Sequence, residues 1–213
     1  MKKVDYKKRD KVFYQPKTQP MLIEVPEMTF IMIDGKGDPN TCAEYKEACE
    51  ILYGLSYAIK MSPKSNVHFE RYFDYVVPPL EGLWCHEQVM CDGKIENKED
   101  FHWTSMIRQP EFVTEEVFVK AKEILHKKKP KLDLSIARLE KLEEGLCAQI
   151  MHIGAYDDEP QTIRKMQEFI KEQGYEEDIS ATRKHHEIYL GDPRKTAPEK
   201  LKTVIRHPIK SIG

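Results

Sequence analysis

The stretch "HHEIYLGDPRK", residues 185–195, places a carboxylate, Glu187, inside a strand-like run between a histidine and an isoleucine. Burying a carboxylate without a partner is costly. Glu187 therefore asks for a metal, for water, or for a pocket that uses negative charge. Neighbours in a strand point to opposite faces, so His186 and Ile188 share one side while Glu187 and Tyr189 share the other. Chelation from one strand wants ligands at i and i+2, and His185 and His186 diverge. No HxH, HExxH or CxxC stands elsewhere, so no metal is expected. If Ile188 faces the packed helices, Glu187 and Tyr189 face a free side. A partly desolvated glutamate there has a raised pKa and serves as a general base or a contact for a cation. On the strand alone, a wet sheet face with Glu187 paired to a lysine is the simpler reading.

Two tryptophans, Trp84 in "PPLEGLWCHE" and Trp103 in "DFHWTSMIRQ", lie in neighbouring strand-like segments, and alternation puts Phe101, Trp103 and Ser105 on one face. Indoles on a free sheet face stack flat or cationic ligands; buried, they are simply core. Glu81, three residues before Trp84, is either a second carboxylate of the same site or an acceptor in the turn at Gly82. There is no GxSxG elbow. "DGKGDPN" has Gly35 and Gly37 but lacks GxGxxG and its βαβ unit, so no nucleotide loop and no cofactor are expected.

The elements that must position these residues repeat. "FIMIDGKGDPN" and "AQIMHIGAYDDEP" each run from a strand (Thr29 to Asp34, and about Leu146 to Ile153) into a turn and then a helix. The first helix begins at a capping box, Thr41 with Glu44, and repeats Tyr45, Ala48, Cys49, Leu52, Leu55, Ser56 and Ile59 on one face. The second turns Ile163, Met166, Phe169 and Ile170 inward and stops at Gly174. Later strands are expected at Tyr72–Val77, Leu80–Glu87 and Phe101–Arg108, then at His185–Leu190 and Thr203–Pro208. Helices at about Thr114–Lys127 and Asp133–Glu144 join the halves. The pattern predicts an α+β fold: two duplicated strand–helix–strand–strand units, about 22–112 and 145–213, linked through about 114–144 in a single domain. Each sheet packs one face on its helices and offers the other to a shared groove.

The 213 residues are 40% hydrophobic and 33% charged, enough for one sizeable core, and the net charge of −2 carries no basic footprint for nucleic acid. Five cysteines without a CxxC pair fit a reduced, cytoplasmic protein. "MKKVDYKKRDKVF" has no apolar core for a secretory signal, and no run of 18 apolar residues would span a membrane.

Four stretches, "LIEVPEMTFIMIDGKGDPN", "DYVVPPLEGLW", "LEEGLCAQIMHIGAYDDEP" and "HEIYLGDPRKTAPEKLKTVIRHPI", resemble in order the stand-alone GyrI-like (gyrase-inhibitor-like) small-molecule-binding proteins. The resemblance implies a tandem of two units related by a pseudo-twofold, with a ligand groove. It also implies that the Glu-x-Tyr motif, here Glu187-Ile188-Tyr189, sets a glutamate on the groove floor to meet hydrophobic cations, as in effector domains of multidrug-sensing regulators. Some members hydrolyse strained cyclopropane-bearing compounds with glutamate and aromatic groups. By that resemblance Glu187 is the base, and Tyr189 or Tyr156 donates to the carbonyl that gathers charge. Trp84, Trp103, Phe101 and Glu81 contact a planar hydrophobic or cationic ligand. The alternative is the same groove sequestering drugs without chemistry. Two departures stand out: Trp84-Cys85 replaces a frequent Trp pair, and Gly191 replaces a frequent serine. With about 27 residues before the first strand, no helix-turn-helix is expected, and the protein is expected to be a monomer.

Overall fold

Residues 3–85 and 102–212 are described by the structure, a computed structural model. Two one-turn helices open the chain, α1 (Tyr6–Arg9) and α2 (Lys11–Tyr14). They are followed by β1 (Met21–Val25), β2 (Met28–Lys36) and the long α3 (Ala43–Lys60). Then come β3 (Leu80–Cys85), β4 (His102–Arg108), α4 (Glu115–Lys128), β5 (Arg138–Leu142) and β6 (Gly145–Ile153). The chain closes with α5 (Glu159–Glu172), β7 (Tyr175–Glu177), β8 (His185–Tyr189) and β9 (Lys202–Ser211). Among the described residues all pairings between these strands are antiparallel. They form one sheet in the order β1-β6-β9-β8-β3-β4-β2-β5, with β7 added to β9. The fold is α+β, as the mixed order of elements predicts.

The central seam is the β3–β8 pair, where Gly82 faces Glu187 and Trp84 faces His185. One sheet face is covered by helices. Ile31 and Ile33 of β2 cluster with Ile51, Leu52, Leu55 and Ile59 of α3, and α4 stacks outside α3 through Phe118 and Leu125. Ile150 and Ile205 cluster with Ile163, Met166 and Ile170 of α5, a separate small core. Burying a side chain of this size stabilises by about 1.5–3 kcal/mol, which is what holds both helices to the sheet. Gly174, at φ +79°, ends α5 in the left-handed conformation its position predicts.

The opposite face is not open. The N-terminal segment lies across it: Gln149 donates to Val12 O at 2.6 Å and Arg206 to Phe13 O at 3.1 Å. Tyr6 and Tyr14 are each 1% exposed.

Three sequence expectations are corrected. Residues 133–144 are a short 3-10 turn, Leu134–Ile136, and then strand β5, not a helix. The leucine spacing permits a helix, but β5 satisfies the outer edge of β2, pairing Arg138–Leu142 with Met28–Met32, and Arg138 reaches Asp34 at 2.8 Å. Residues 72–77 make only an isolated bridge, Tyr75 to Val4, because Pro78 and Pro79 cut the run short and remove donors. The box at Thr41 does not form. Thr41 donates its N–H to Asp38 O in the preceding turn, and Cys42 is the N-cap of α3. The predicted end of β3 at Glu87 lies outside the described residues.

Candidate functional site

Glu187 and Tyr189 lie on the helix-covered face, contrary to the expectation that they look away from the helices. Glu187 stands opposite Ile205, which packs on α5, while Ile188 stands opposite Val204 on the other face. The reason is that both faces of the centre are buried. The carboxylate sits between the N-terminal turns of α3 and α5, in a gap that their side chains fill.

Into this gap α3 sends Tyr45 and α5 sends its first residue, Glu159. The Tyr45 ring stacks on Trp84 at 6.3 Å between centroids and meets the edge of Trp103 at 5.1 Å. Trp84 and Trp103 are neighbours by strand register and are 8% and 2% exposed, so both are walls and neither is an open platform. Trp103 fits because position 35 is glycine: a Cβ there would fall 2.2 Å from the indole. Its Nε1 is buried with no hydrogen-bond partner among the described residues. Gly82 performs the same service for Trp84, since an added Cβ would lie 2.8 Å from Nε1 and 3.1 Å from the Tyr189 hydroxyl. Gly82→Ala is therefore expected to break the Trp84–Tyr189 contact and cost about 1–3 kcal/mol of stability, as overpacking does. Urea unfolding of the variant checks it, and an unchanged midpoint would mean the indole has room to move.

Glu187 is fixed by three neighbours. His185 Nε2 meets Oε1 at 2.8 Å, and the Tyr189 hydroxyl donates to Oε2 at 2.7 Å. The Trp84 indole N–H donates in turn to the Tyr189 oxygen at 3.0 Å. Glu159, 6% exposed, lies against Glu187 with one carboxyl oxygen unpartnered. The two carboxyls are driven apart. Burial, then the neighbouring Glu187 charge, pushes Glu159 well above the usual carboxylate range. Burial would raise Glu187 as well, but the His185 and Tyr189 hydrogen bonds outweigh it and hold Glu187 low. Two adjacent carboxylates cannot both ionise cheaply, so the pair shares one proton, with Glu159 the weaker acid of the two. Tyr156, half-buried in the turn before α5, sets its ring edge-on to Tyr189 at 5.8 Å. Its hydroxyl is pushed up to about 12 by burial and by the Glu159 and Glu187 charges.

The structure thus brings Glu187, Tyr189, Tyr156 and Trp84 together, with Trp103 behind them. It does not bring Glu81. That carboxylate is 2% exposed on the other face, where it meets His186 Nε2 at 3.0 Å and accepts from the Tyr14 hydroxyl at 3.3 Å. Alternation explains this, since Glu81 and Gly82 must point opposite ways and Gly82 faces Glu187. Phe101 lies outside the described residues. His185, Glu159 and Tyr45 complete the site without having been singled out from sequence. A cavity of about 740 Å³ lies elsewhere, between the N-terminal segment and Met151, Leu190 and Lys202. Its lining mixes Lys7, Lys8, Lys17 and Lys202 with Met151, Ile153 and Leu190 and holds none of the residues gathered at the seam, so the seam remains the candidate site. Among the described residues no group of three or more His, Cys, Asp or Glu is placed to hold a metal, and no helix is long and apolar enough to cross a membrane.

An antiparallel sheet carrying a charged, aromatic-walled gap between two helices has the build of a small-molecule-binding domain. The chain belongs to the GyrI-like small-molecule-binding domain family, which it matches over residues 18–210. It is similar to a hydrolase from Listeria innocua, with 47% identity over 98% of this chain and 100% of that one and a TM-score of 0.89. An uncharacterised conserved protein from the same organism is 48% identical over the same shares, with a TM-score of 0.93. The C-terminal domain of EcmrR shares the fold alone, at 12% identity over 91% of this chain and 98% of that one, with a TM-score of 0.55. No curated protein matches the chain.

Proposed function

We propose that the seam binds planar hydrophobic or cationic small molecules, and that the protein is a hydrolase opening electrophilic cyclopropanes in such compounds. The observation that carries this reading is the contact of two buried carboxyls inside an aromatic wall, with Glu187 held low by His185 and Tyr189 against the burial that pushes Glu159 up. Two carboxyls whose pKa values are pushed apart are an acid–base assignment. Glu187 takes a proton from water as its oxygen attacks a cyclopropane carbon. The strained C–C bond breaks, and its electron pair passes through the conjugated system to a carbonyl oxygen. Glu159 gives that oxygen its proton, so the product is the substrate plus one water. The Tyr189 hydroxyl, committed to Glu187, positions the base, and the polarising donor is Tyr156. Trp84 and Tyr45 flank the planar ring system, with Trp103 behind. The Listeria innocua protein described as a hydrolase supports the reading by its similarity over the whole chain.

The reading predicts a bell-shaped pH dependence. The acid limb comes from protonating Glu187 at a pKa below its ordinary value, and the alkaline limb from ionising Glu159 at a pKa well above its own. Pre-steady-state rates across pH test this. An activity that keeps rising through the alkaline range would remove Glu159 as the acid.

A planar cation and its neutral isostere separate charge recognition from stacking. Glu187→Gln is expected to weaken the cation by about ten- to a hundredfold, the worth of a charge-assisted contact, and to leave the isostere unchanged. Equal losses for both in a calorimetric titration would place the ligand away from Glu187.

We also infer that the fold is two strand–helix–strand–strand units, about 22–112 and 145–213, meeting at β3 and β8 in one domain. Supporting it, β4 and β2 follow outward from that seam on one side and β9 and β6 on the other, while the outermost strands cross over: β5 of the linker edges the first side and β1 the second.

A further inference from the structure

A hydrogen-bonded chain leads from Glu187 away from the aromatic wall. His185, holding Glu187 by Nε2, touches His207 Nε2 with its Nδ1, and His207 Nδ1 meets Glu177 Oε1. His185 and His207 side chains are 3% and 1% exposed, while Glu177 at the far end, on β7, is 25% exposed. The second oxygen of Glu177 accepts from Gln167 Nε2 of α5 at 3.0 Å. A buried line of titratable groups therefore joins the site to the protein surface.

Counting protons gives the line a property that no single contact has. It contains three junctions, Glu187–His185, His185–His207 and His207–Glu177. Each junction needs one proton to be a hydrogen bond. Two neutral imidazoles supply two. The complete chain therefore carries one further proton, shared among two histidines and two carboxylates. If that proton lies on Glu187, both histidines carry hydrogen on Nδ1. Moving each proton one step outward puts hydrogen on both Nε2 atoms and on Glu177, and leaves Glu187 ionised. No side chain has to turn for the shift.

We propose that His185, His207 and Glu177 form a proton relay that couples the protonation of Glu187 to the surface at Glu177 by sharing one proton along the line. They are positioning residues, acting on the reaction only through Glu187. The effect of the relay on turnover rests on the reading of Glu187 as a base; the sharing of one proton along the line does not. Among the described residues, the other titratable groups facing the line are Glu159 from α5, Tyr45 from α3, Tyr189 and Tyr156, all at the Glu187 end.

The test is NMR of the ligand-free protein, following the carboxyl carbons of Glu177 and Glu187 and the ring nitrogens of His185 and His207 against pH. The relay predicts that all four groups move together in a common step, and that Glu177→Gln abolishes this step at Glu187 and His185, at the other end of the line. Independent titration of the two carboxyls in the unaltered protein would overturn it, as would unchanged Glu187 and His185 signals in Glu177→Gln. The unaltered protein gives the first answer even if the variant fails to fold. A shared step in a protein that hydrolyses nothing would keep the relay and remove the base role of Glu187.

Discussion

Glu187→Gln is expected to lower turnover of a cyclopropane-bearing substrate by on the order of 10² to 10⁴, the range for loss of one general base, and to leave the protein folded. The amide has the shape of the carboxylate, and its oxygen still accepts from Tyr189. What it cannot do is hold a proton taken from water. The substitution also removes the Glu187 charge, which adds to burial in raising Glu159, so base and acid are disturbed together. Thermal unfolding alongside single-turnover kinetics separates loss of chemistry from loss of fold. A folded Glu187→Gln protein with undiminished turnover would take the catalytic centre away from the seam.

The second large effect lies on the opposite sheet face. His186 is clamped between Glu81 at 3.0 Å and Glu144 at 2.9 Å, and Glu144 also accepts from Arg206 at 2.6 Å. The His186 and Arg206 side chains are 0% and 3% exposed. Removing one member of a buried charge network strands the others without water. Glu144→Ala is therefore expected to destabilise by about 3–5 kcal/mol. Burial opposes charge on both partners. The positive His186 and Arg206 nevertheless lower Glu144 to about 2, and the Glu144 charge and hydrogen bond raise His186 to about 9.

The raised histidine contributes stability fully below its unfolded pKa of about 6.5 and loses it as pH rises through about 9. The lowered carboxyl contributes above its unfolded value of about 4.5 and loses it as pH falls toward about 2. These are two views of one contact, worth about 3 kcal/mol when counted once. Urea unfolding should show the gap between the unaltered protein and Glu144→Ala widest between about pH 4.5 and 6.5 and narrower at both extremes. A gap that does not change with pH would mean the network is held by packing and not by charge.

Much of this was legible in the sequence. Strands β2, β4, β6, β8 and β9 and helices α3, α4 and α5 follow from period, turn residues and Gly174. The α+β class follows from their order. The site was legible where alternation was carried far enough. Glu187 and Tyr189 share a face by the period-two rule, and the same rule adds His185, two residues before Glu187, to that face. It equally puts His207 beside Ile205 and separates Glu81 from Gly82. Glu159 was hidden because it reads as part of the acidic turn "DDEP", and only the packing of α5 turns it onto Glu187. Which face of the sheet is free was not legible. That depends on the N-terminal segment, whose one-turn helices have no amphipathic period yet bury Tyr6 and Tyr14 against strands far away in sequence. The β5 strand was misread for a related reason: an edge of β2 that needs a partner outweighed a local helical pattern.

The central claim, catalysis at Glu187, meets its most direct test in mass spectrometry of a spirocyclopropane-type DNA alkylator incubated with about one-hundredth its amount of protein. The account predicts complete conversion to a product heavier by one water, over many turnovers, and loss of that conversion in Glu187→Gln. A compound held by the protein but converted no faster than in a protein-free control would contradict it, leaving a domain that binds and does no chemistry.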